Sequence, residues 1–438
     1  MDKAAYLRNI ESNARTYAAT FERVFHTGRG VRVWNTDGDE YLDCLSNAGA
    51  LPLGHNHPEV REAVLRFIAS DHIQQALDLA TPAKCDFVEE LFAHLPEDLR
   101  STAKIQFCGP TGSDANEAAM KLTRLFTNRP TIIAFHGAYH GMTSGALGAM
   151  GNLLPKSGPG FGAGHVHFAP FPYRFRCPFG THGEETERLC LNYLRTILAD
   201  PEAGVPKPAA IMMELVQGEG GCIPASDDWL RSVRALATEH GIPLIVDEVQ
   251  TGLGRTGRMF ACEHSGITPD VLVLSKAIGG GYPLSVVIYD RRLDVWSRGM
   301  HAGTFRGNQI AMVAGRATMQ IIKRDGLADN ATKMGNLLLE GLRAIARRFP
   351  SIGDIRGKGL MLGMEIVKPT DDGSTPPPDA GLAKSIRQKC FENGLIVELG
   401  GRQGAVLRLL PPLTIGNSDV GAVLDRLESS IAVVSRAR

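Results

Sequence analysis

Three polar residues of this chain each follow directly on a short, continuously apolar run: Glu214 after AAIMM, Asp247 after LIV and Lys276 after VLVLS. Ligands of parallel α/β sheets bind at the carboxyl ends of the strands, so residues placed there are the ones that can meet a substrate. A lysine held partly out of water forms a Schiff base with a carbonyl when neighbouring groups control its proton. Asp247 is the kind of group that keeps a heterocyclic nitrogen protonated, the condition under which pyridoxal phosphate acts as an electron sink. Each residue taken alone is an ordinary strand end facing water or capping a turn. One cation and two anions at equivalent strand ends point instead to a shared pocket. Gly279-Gly280-Gly281, just after Lys276, lets backbone come close to a ligand.

A phosphate needs backbone N–H groups, and GPTGSDANEAAMKL at 109–122 offers them as a Gly/Thr/Ser turn opening a helix. Gly252, Gly254 and Gly257 satisfy the spacing of a dinucleotide fingerprint. Asp247 and Glu248 stand between the strand and the first of these glycines, where they repel a pyrophosphate, and no helix opens at Gly257. The dinucleotide reading is set aside. The close histidine pairs His55/His57 and His136/His140 lack the further ligands a metal site needs, so they read as hydrogen-bonding histidines and no metal is expected.

The elements that must position these residues are legible as patterns. From residue 31, VRVWNTDGDEYLDCL alternates around Asp37-Gly38 and predicts a β-hairpin. Residues 57–70 and 83–94 have helical apolar spacing and predict two helices on its far side. Between about 105 and 290, six apolar runs (105–107, 131–135, 209–213, 244–247, 271–275, 284–289) alternate with amphipathic segments, the mark of an α/β unit with a mostly parallel sheet. One helix carries Trp229, Leu230, Val233, Leu236 and Ala237 on a single face, with Asp227 or Asp228 as its cap. From about 328 a long amphipathic helix (Met334, Leu337, Leu338, Leu342, Ile345) leads into the strand-like IRGKGLMLGMEIV, followed by a polar, proline-rich surface loop at 371–378.

The 438 residues contain 47 Lys+Arg and 47 Asp+Glu, a net charge of zero that gives no electrostatic reason for a nucleic-acid or membrane partner. No run of about 18 apolar residues predicts a membrane span. Eight cysteines without a C-x-x-C pair, and no basic-then-apolar leader, suggest a reduced, cytoplasmic protein.

The ordered motifs GHNHPEV (54–60), GPTGSDANEAA (109–119), FHGAYHGMT (135–143), ELVQGEGG (214–221), LIVDEVQTGLGRTG (244–257), LSKAIGGGYPL (274–284), HAGTFRGNQIA (301–311) and LRLLPPLTI (407–415) resemble those of the class III pyridoxal-phosphate aminotransferases. The resemblance covers nearly the whole chain. It implies a fold-type I transferase: residues 1–60 as the N-terminal part of a small α+β domain, 61–325 as a large cofactor-binding domain around a mostly parallel seven-stranded sheet, and 326–438 as the rest of the small domain. It makes Lys276 the Schiff-base lysine and proton shuttle, Asp247 the partner of the pyridine nitrogen and Gln250 a neighbour of the phenolic oxygen. Tyr139 stacks on the ring, and Gly112 and Ser113 cradle the phosphate. Thr304 reaches the phosphate of a neighbouring subunit, which implies a homodimer with shared sites, or a tetramer of two such dimers. Glu219 and Arg408 resemble the family's gate pair, the arginine binding the α-carboxylate of glutamate or 2-oxoglutarate and otherwise neutralised by the glutamate.

Within the class, FPYRFRCPFG (171–180), HAGTFRGNQ (301–309) and LIVELGGRQGAVLRLLPPL (395–413) resemble the L-2,4-diaminobutyrate:2-oxoglutarate transaminases. That resemblance implies transfer of the ω-amine of a diamino acid by ping-pong chemistry. The turn before GHNHP departs from the subgroup: Ser46-Asn47-Ala48-Gly49-Ala50 places Asn47 on a loop that faces substrate in the family. The departure motivates a second reading, the same cofactor turned to γ-elimination, γ-replacement or C–C bond formation, for example on S-adenosylmethionine.

Overall fold

A computed structural model describes residues 3–158 and 164–436. Its centre is a seven-stranded sheet, ordered across the sheet as Ala103–Phe107, Val286–Asp290, Val271–Leu274, Leu244–Asp247, Ala210–Met213, Ile132–Phe135 and Val166–Ala169. Only Val286–Asp290 runs against its neighbours. Five of the strands hold almost nothing but β-branched, aliphatic and small residues, because helices cover both faces and a polar side chain there would be stripped of water. The six predicted runs are six of the seven strands. The seventh, Val166–Ala169, carries His167 and is only half-buried at the sheet edge, which is why its apolar signal is weak.

The hairpin forms as predicted from Arg32–Asn35 and Glu40–Asp43. The Asn35 side chain stabilises its turn by accepting the N–H groups of Asp37 and Asp39 at 3.0 and 2.8 Å. The predicted helices occur as Pro58–Ile68 and Pro82–His94, but they pack against the helix Gln309–Arg324 rather than behind the hairpin. Asp227 and Asp228 do not cap the helix Asp227–Glu239. Ser226 does, its hydroxyl accepting the Trp229 N–H at 3.2 Å, while the two aspartates lie in the first turn and complement the helix dipole.

The hairpin sheet is completed from the far end of the chain: Leu395–Ile396 pairs in parallel with Leu42 and Asp43. The strand-like run at 355–367 is in fact two antiparallel strands, Ile352–Lys358 and Met361–Ile366, turning at Gly359 with φ +58°. They join the strands Val406–Leu409 and Glu398–Gly400 in a second four-stranded sheet. The glycine-rich loop 252–257 has a purely structural part here. Buried Arg255 donates to the carbonyls of Leu360 (3.2 Å) and Pro411, fastening this hairpin to the central sheet. Among the described residues no helix is long and apolar enough to cross a membrane.

Candidate active site

The strand registers bring the three sequence-marked residues to one edge of the sheet. Val246 lies opposite Met213 and Asp247 opposite Val273, so Glu214, Asp247 and Lys276 emerge side by side. They line a cavity of about 170 Å³ together with Gly112, Ser113, Tyr139, Glu219 and Gln250. Lys276 opens a short 3-10 turn in the left-handed conformation, φ +47°, an arrangement that costs an L-residue roughly 1–2 kcal/mol and is tolerated where the surroundings over-determine it. Burial depresses its amine below the ordinary lysine range, against the opposing pull of Glu219. A lysine so held is readier to shed its proton and act as a nucleophile or base.

Asp247 is 3% exposed and completely engaged on one side. Its Oδ2 accepts from Asn116 Nδ2 at 2.8 Å and meets His140 Nδ1 at 2.7 Å, while Oδ1 accepts the Val249 N–H at 3.0 Å. Burial works against a charged His140, but the hydrogen bond to Asp247 prevails and its pKa is raised. Glu214 accepts the N–H groups of Tyr139 and Gly218, both at 3.0 Å. Burial nonetheless pushes its carboxyl up to about 7.

The predicted phosphate turn opens the helix Gly112–Thr127, capped by Thr111, whose hydroxyl accepts the Asp114 N–H at 3.1 Å. A Cβ on Gly112 would come within 2.9 Å of Val249, so only glycine lets the turn sit this close to the strand end. Ser113 Oγ accepts the Met142 N–H at 3.2 Å and keeps its own proton to donate. Gln250 Nε2 donates to the Ala48 carbonyl at 3.0 Å, and its Oε1 is buried with no partner among the described residues. Such an unmatched buried acceptor is costly unless a ligand supplies a donor. A helix N-terminus for a phosphate, a flanking aromatic, an engaged carboxylate, a depressed lysine and this spare acceptor together fit pyridoxal phosphate.

Farther out, Arg408 NH1 lies 2.8 Å from Glu219 Oε1. The Arg408 side chain is 1% exposed and that of Glu219 32%, so the arginine is buried and its partner is the member open to solvent. Burial disfavours the guanidinium charge, yet Glu219 and Glu398 hold its pKa above the usual value.

Three expected residues lie outside the cavity lining, and Arg408 meets it only through Glu219. Thr304 is exposed, and Asn47 is exposed on a turn in which Ser46, Asn47 and Ala48 all have positive φ (48°, 51°, 55°). That turn reaches the cavity only through the Ala48–Gln250 bond. The site also contains residues that the sequence patterns do not single out. Asn116 lies one helical turn beyond Ser113, a spacing that could have flagged it. The sequence marks His140 as a hydrogen-bonding histidine without revealing its partner. Outside the cavity lining, near Glu219 and Arg408, stand Tyr17 and Glu398 from distant parts of the chain, and no local pattern announces them. Burial, with Glu219 and Glu398 nearby, pushes the Tyr17 phenol up to about 12. His55 likewise proves to be a hydrogen-bonding histidine, 2.8 Å from Asp43.

The model of the family described as "Aminotransferase class-III" matches residues 13–431. A diaminobutyrate–2-oxoglutarate aminotransferase of Rhizobium meliloti is 49% identical, covering 99% of this chain and 94% of its own length. A protein of the same name from Haemophilus influenzae is 43% identical over 96% and 93%. Among solved structures, a pyridoxal-phosphate-bound amine transaminase from an uncultivated Pseudomonas species superimposes with a TM-score of 0.87 at 28% identity, covering 97% of this chain and 98% of that one. The ornithine aminotransferase of Toxoplasma gondii gives 0.81 at 26%, covering 99% and 94%.

Proposed function

This chain belongs to the class-III aminotransferases, and from that premise we propose that it exchanges the 4-amino group of L-2,4-diaminobutyrate with 2-oxoglutarate, alternating between two half-reactions on pyridoxal phosphate. The observation that carries this reading is the Glu219–Arg408 pair, close enough for both charges to act on the Lys276 amine. One site must accept an amino donor whose far end is zwitterionic and then a dicarboxylate. A buried arginine with a movable, half-exposed carboxylate partner does both, because it can offer or withhold its charge without ever standing unpaired.

When bound, pyridoxal phosphate supplies the electron sink that makes the amine-bearing carbon acidic. Lys276 would hold the cofactor, and its depressed amine is placed to carry a proton between the substrate's amine-bearing carbon and the cofactor carbon across the nitrogen. Asp247, steadied by Asn116 and His140, keeps a proton on the ring nitrogen. Gln250 would lie beside the phenolic oxygen, Tyr139 would cover one ring face, and the N–H groups of Gly112 and Ser113 would take the phosphate. Thr304, exposed in the single chain, completes the phosphate site of a partner subunit in a homodimer. All eight cysteines are unpaired, which suits the reducing cytoplasm.

Titrating the pyridoxal-phosphate-loaded protein with L-glutamate tests the reading by absorbance. Conversion of the pyridoxal to the pyridoxamine form, also produced by diaminobutyrate with release of aspartate semialdehyde, is the expected result. Bound cofactor that neither amino acid converts would overturn it and favour diverted chemistry, a reading the relatives' shared name does not support.

A further inference from the structure

Beside Arg408 stands a second carboxylate, Glu398, that the exchange of Glu219 and Arg408 does not use. Glu398 pairs directly across the antiparallel ladder with Arg408, so the two side chains emerge on the same face of the sheet. Its side chain is only 12% exposed. Oε1 accepts the Leu399 N–H at 2.7 Å, and the nearest cation, Arg387, stands 3.7 Å away, beyond hydrogen-bond distance. Glu398 is therefore a buried carboxyl, pushed up in pKa by burial and held only loosely by Arg387, with spare acceptor capacity beside an arginine already matched by Glu219.

We propose that Glu398 is a specificity-determining residue that receives the second, non-reacting ammonium of a diamino acid. The inference rests on the function proposed above. With one amine of the substrate at Lys276, the other end presents an ammonium beside a carboxylate. A lone Glu219–Arg408 pair is electrically complete and offers that ammonium nothing. Glu398, whose own cation Arg387 stands at 3.7 Å without a hydrogen bond, leaves a carboxylate acceptor for that ammonium while the pair is closed, which favours a diamino acid over an ω-amino acid that lacks the second amine. When glutamate enters instead, its α-carboxylate meets Arg408 and the extra negative charge opposes it. The same side chain thus helps one substrate and hinders the other.

Opposite effects in the two half-reactions make the proposal testable. In Glu398→Gln, which keeps the Leu399 contact, KM for diaminobutyrate rises about tenfold while KM for glutamate falls, and the preference for diaminobutyrate over 4-aminobutyrate shrinks about tenfold. Glu398→Asp restores part of that preference. Arg387→Met breaks the Glu398–Arg387 ion pair from its other side and keeps the preference. Equal losses with both substrates, or an Arg387→Met variant that behaves like Glu398→Gln, would reduce Glu398 to a structural counter-ion and overturn the proposal. A wild-type enzyme that does not distinguish diaminobutyrate from 4-aminobutyrate overturns the proposed function itself. A wild-type preference that survives Glu398→Gln overturns the Glu398 assignment alone.

Discussion

The two ends of this cavity are built on opposite principles. At the inner end, Asp247, Asn116 and His140 are each 3% exposed or less, and hydrogen bonds between 2.7 and 3.0 Å hold the Asp247 carboxylate. At the outer end, Glu219 is about a third exposed, Glu398 holds its nearest cation at 3.7 Å, and Tyr17 is 43% exposed. The inner end serves a cofactor that is identical in every turnover, so rigidity there lowers the cost of organising charge around it. The outer end must serve two substrates with different charges, and rigidity there would favour one at the expense of the other. Within one pocket, deep burial marks what stays constant and partial exposure marks what changes.

The largest effect that would break this contrast belongs to the inner end. In Asp247→Asn, the new amide turns a donor either toward both Asn116 Nδ2 and His140 Nδ1 or toward the Val249 N–H, and the charge facing the ring nitrogen is lost. The expected fall is roughly 10²–10³-fold in kcat, equal for glutamate and diaminobutyrate, read by single-turnover absorbance. A loss confined to one substrate would mean that the inner end also discriminates.

A smaller, divergent effect belongs to the outer end. In Glu219→Gln, Arg408 is left unmatched, so KM for glutamate should fall and KM for diaminobutyrate should rise, each about fivefold. That is the equivalent of ~1 kcal/mol, the scale of an ion pair with one member partly open to water. Steady-state KM values for the two substrates decide it, and a parallel change would show that Glu219 does not work as a gate.

The smallest effect sharpens the description of the inner end. Glu214 has a folded-state pKa near 7 against an ordinary 4.5, so between these values the folded protein holds a proton that the unfolded chain has released. Its contribution to unfolding free energy therefore falls as pH rises from 4.5 to 7 and levels off above. Urea unfolding of the cofactor-free protein at intervals across that range should show the decline, flattened in Glu214→Gln. An unchanged slope in the variant would place the titration elsewhere.

The inner end is largely legible in the amino-acid sequence, because its residues sit where short-range patterns end. Glu214, Asp247 and Lys276 close apolar runs, and Gly112 and Ser113 open a capped helix. The outer end is legible only through the family resemblance, which supplies Glu219 and Arg408. Glu398 and Tyr17 escape because their meeting depends on pairing between distant segments, which no window of neighbouring residues encodes. The mistaken cap at Asp227 has a local cause. Ser and Asp both serve as caps, and the aspartates at the first two helical positions contribute through the dipole instead. The single run at 355–367 divides into two strands because Gly359 adopts positive φ, which the apolar pattern on either side conceals.

The parallel pairing of Leu395–Ile396 with Leu42 and Asp43 has a consequence for how the protein is made. On a ribosome the hairpin strands emerge early, and their partner follows about 350 residues later. At roughly 5–20 residues per second, the nascent chain spends on the order of half a minute with that sheet edge open. Over the same interval Ala48, whose carbonyl holds Gln250 in place, sits beside an incomplete sheet. The sheet beside the cofactor pocket is therefore finished only once Leu395–Ile396 has emerged, and the hairpin's unpaired backbone is the segment that needs shielding until then.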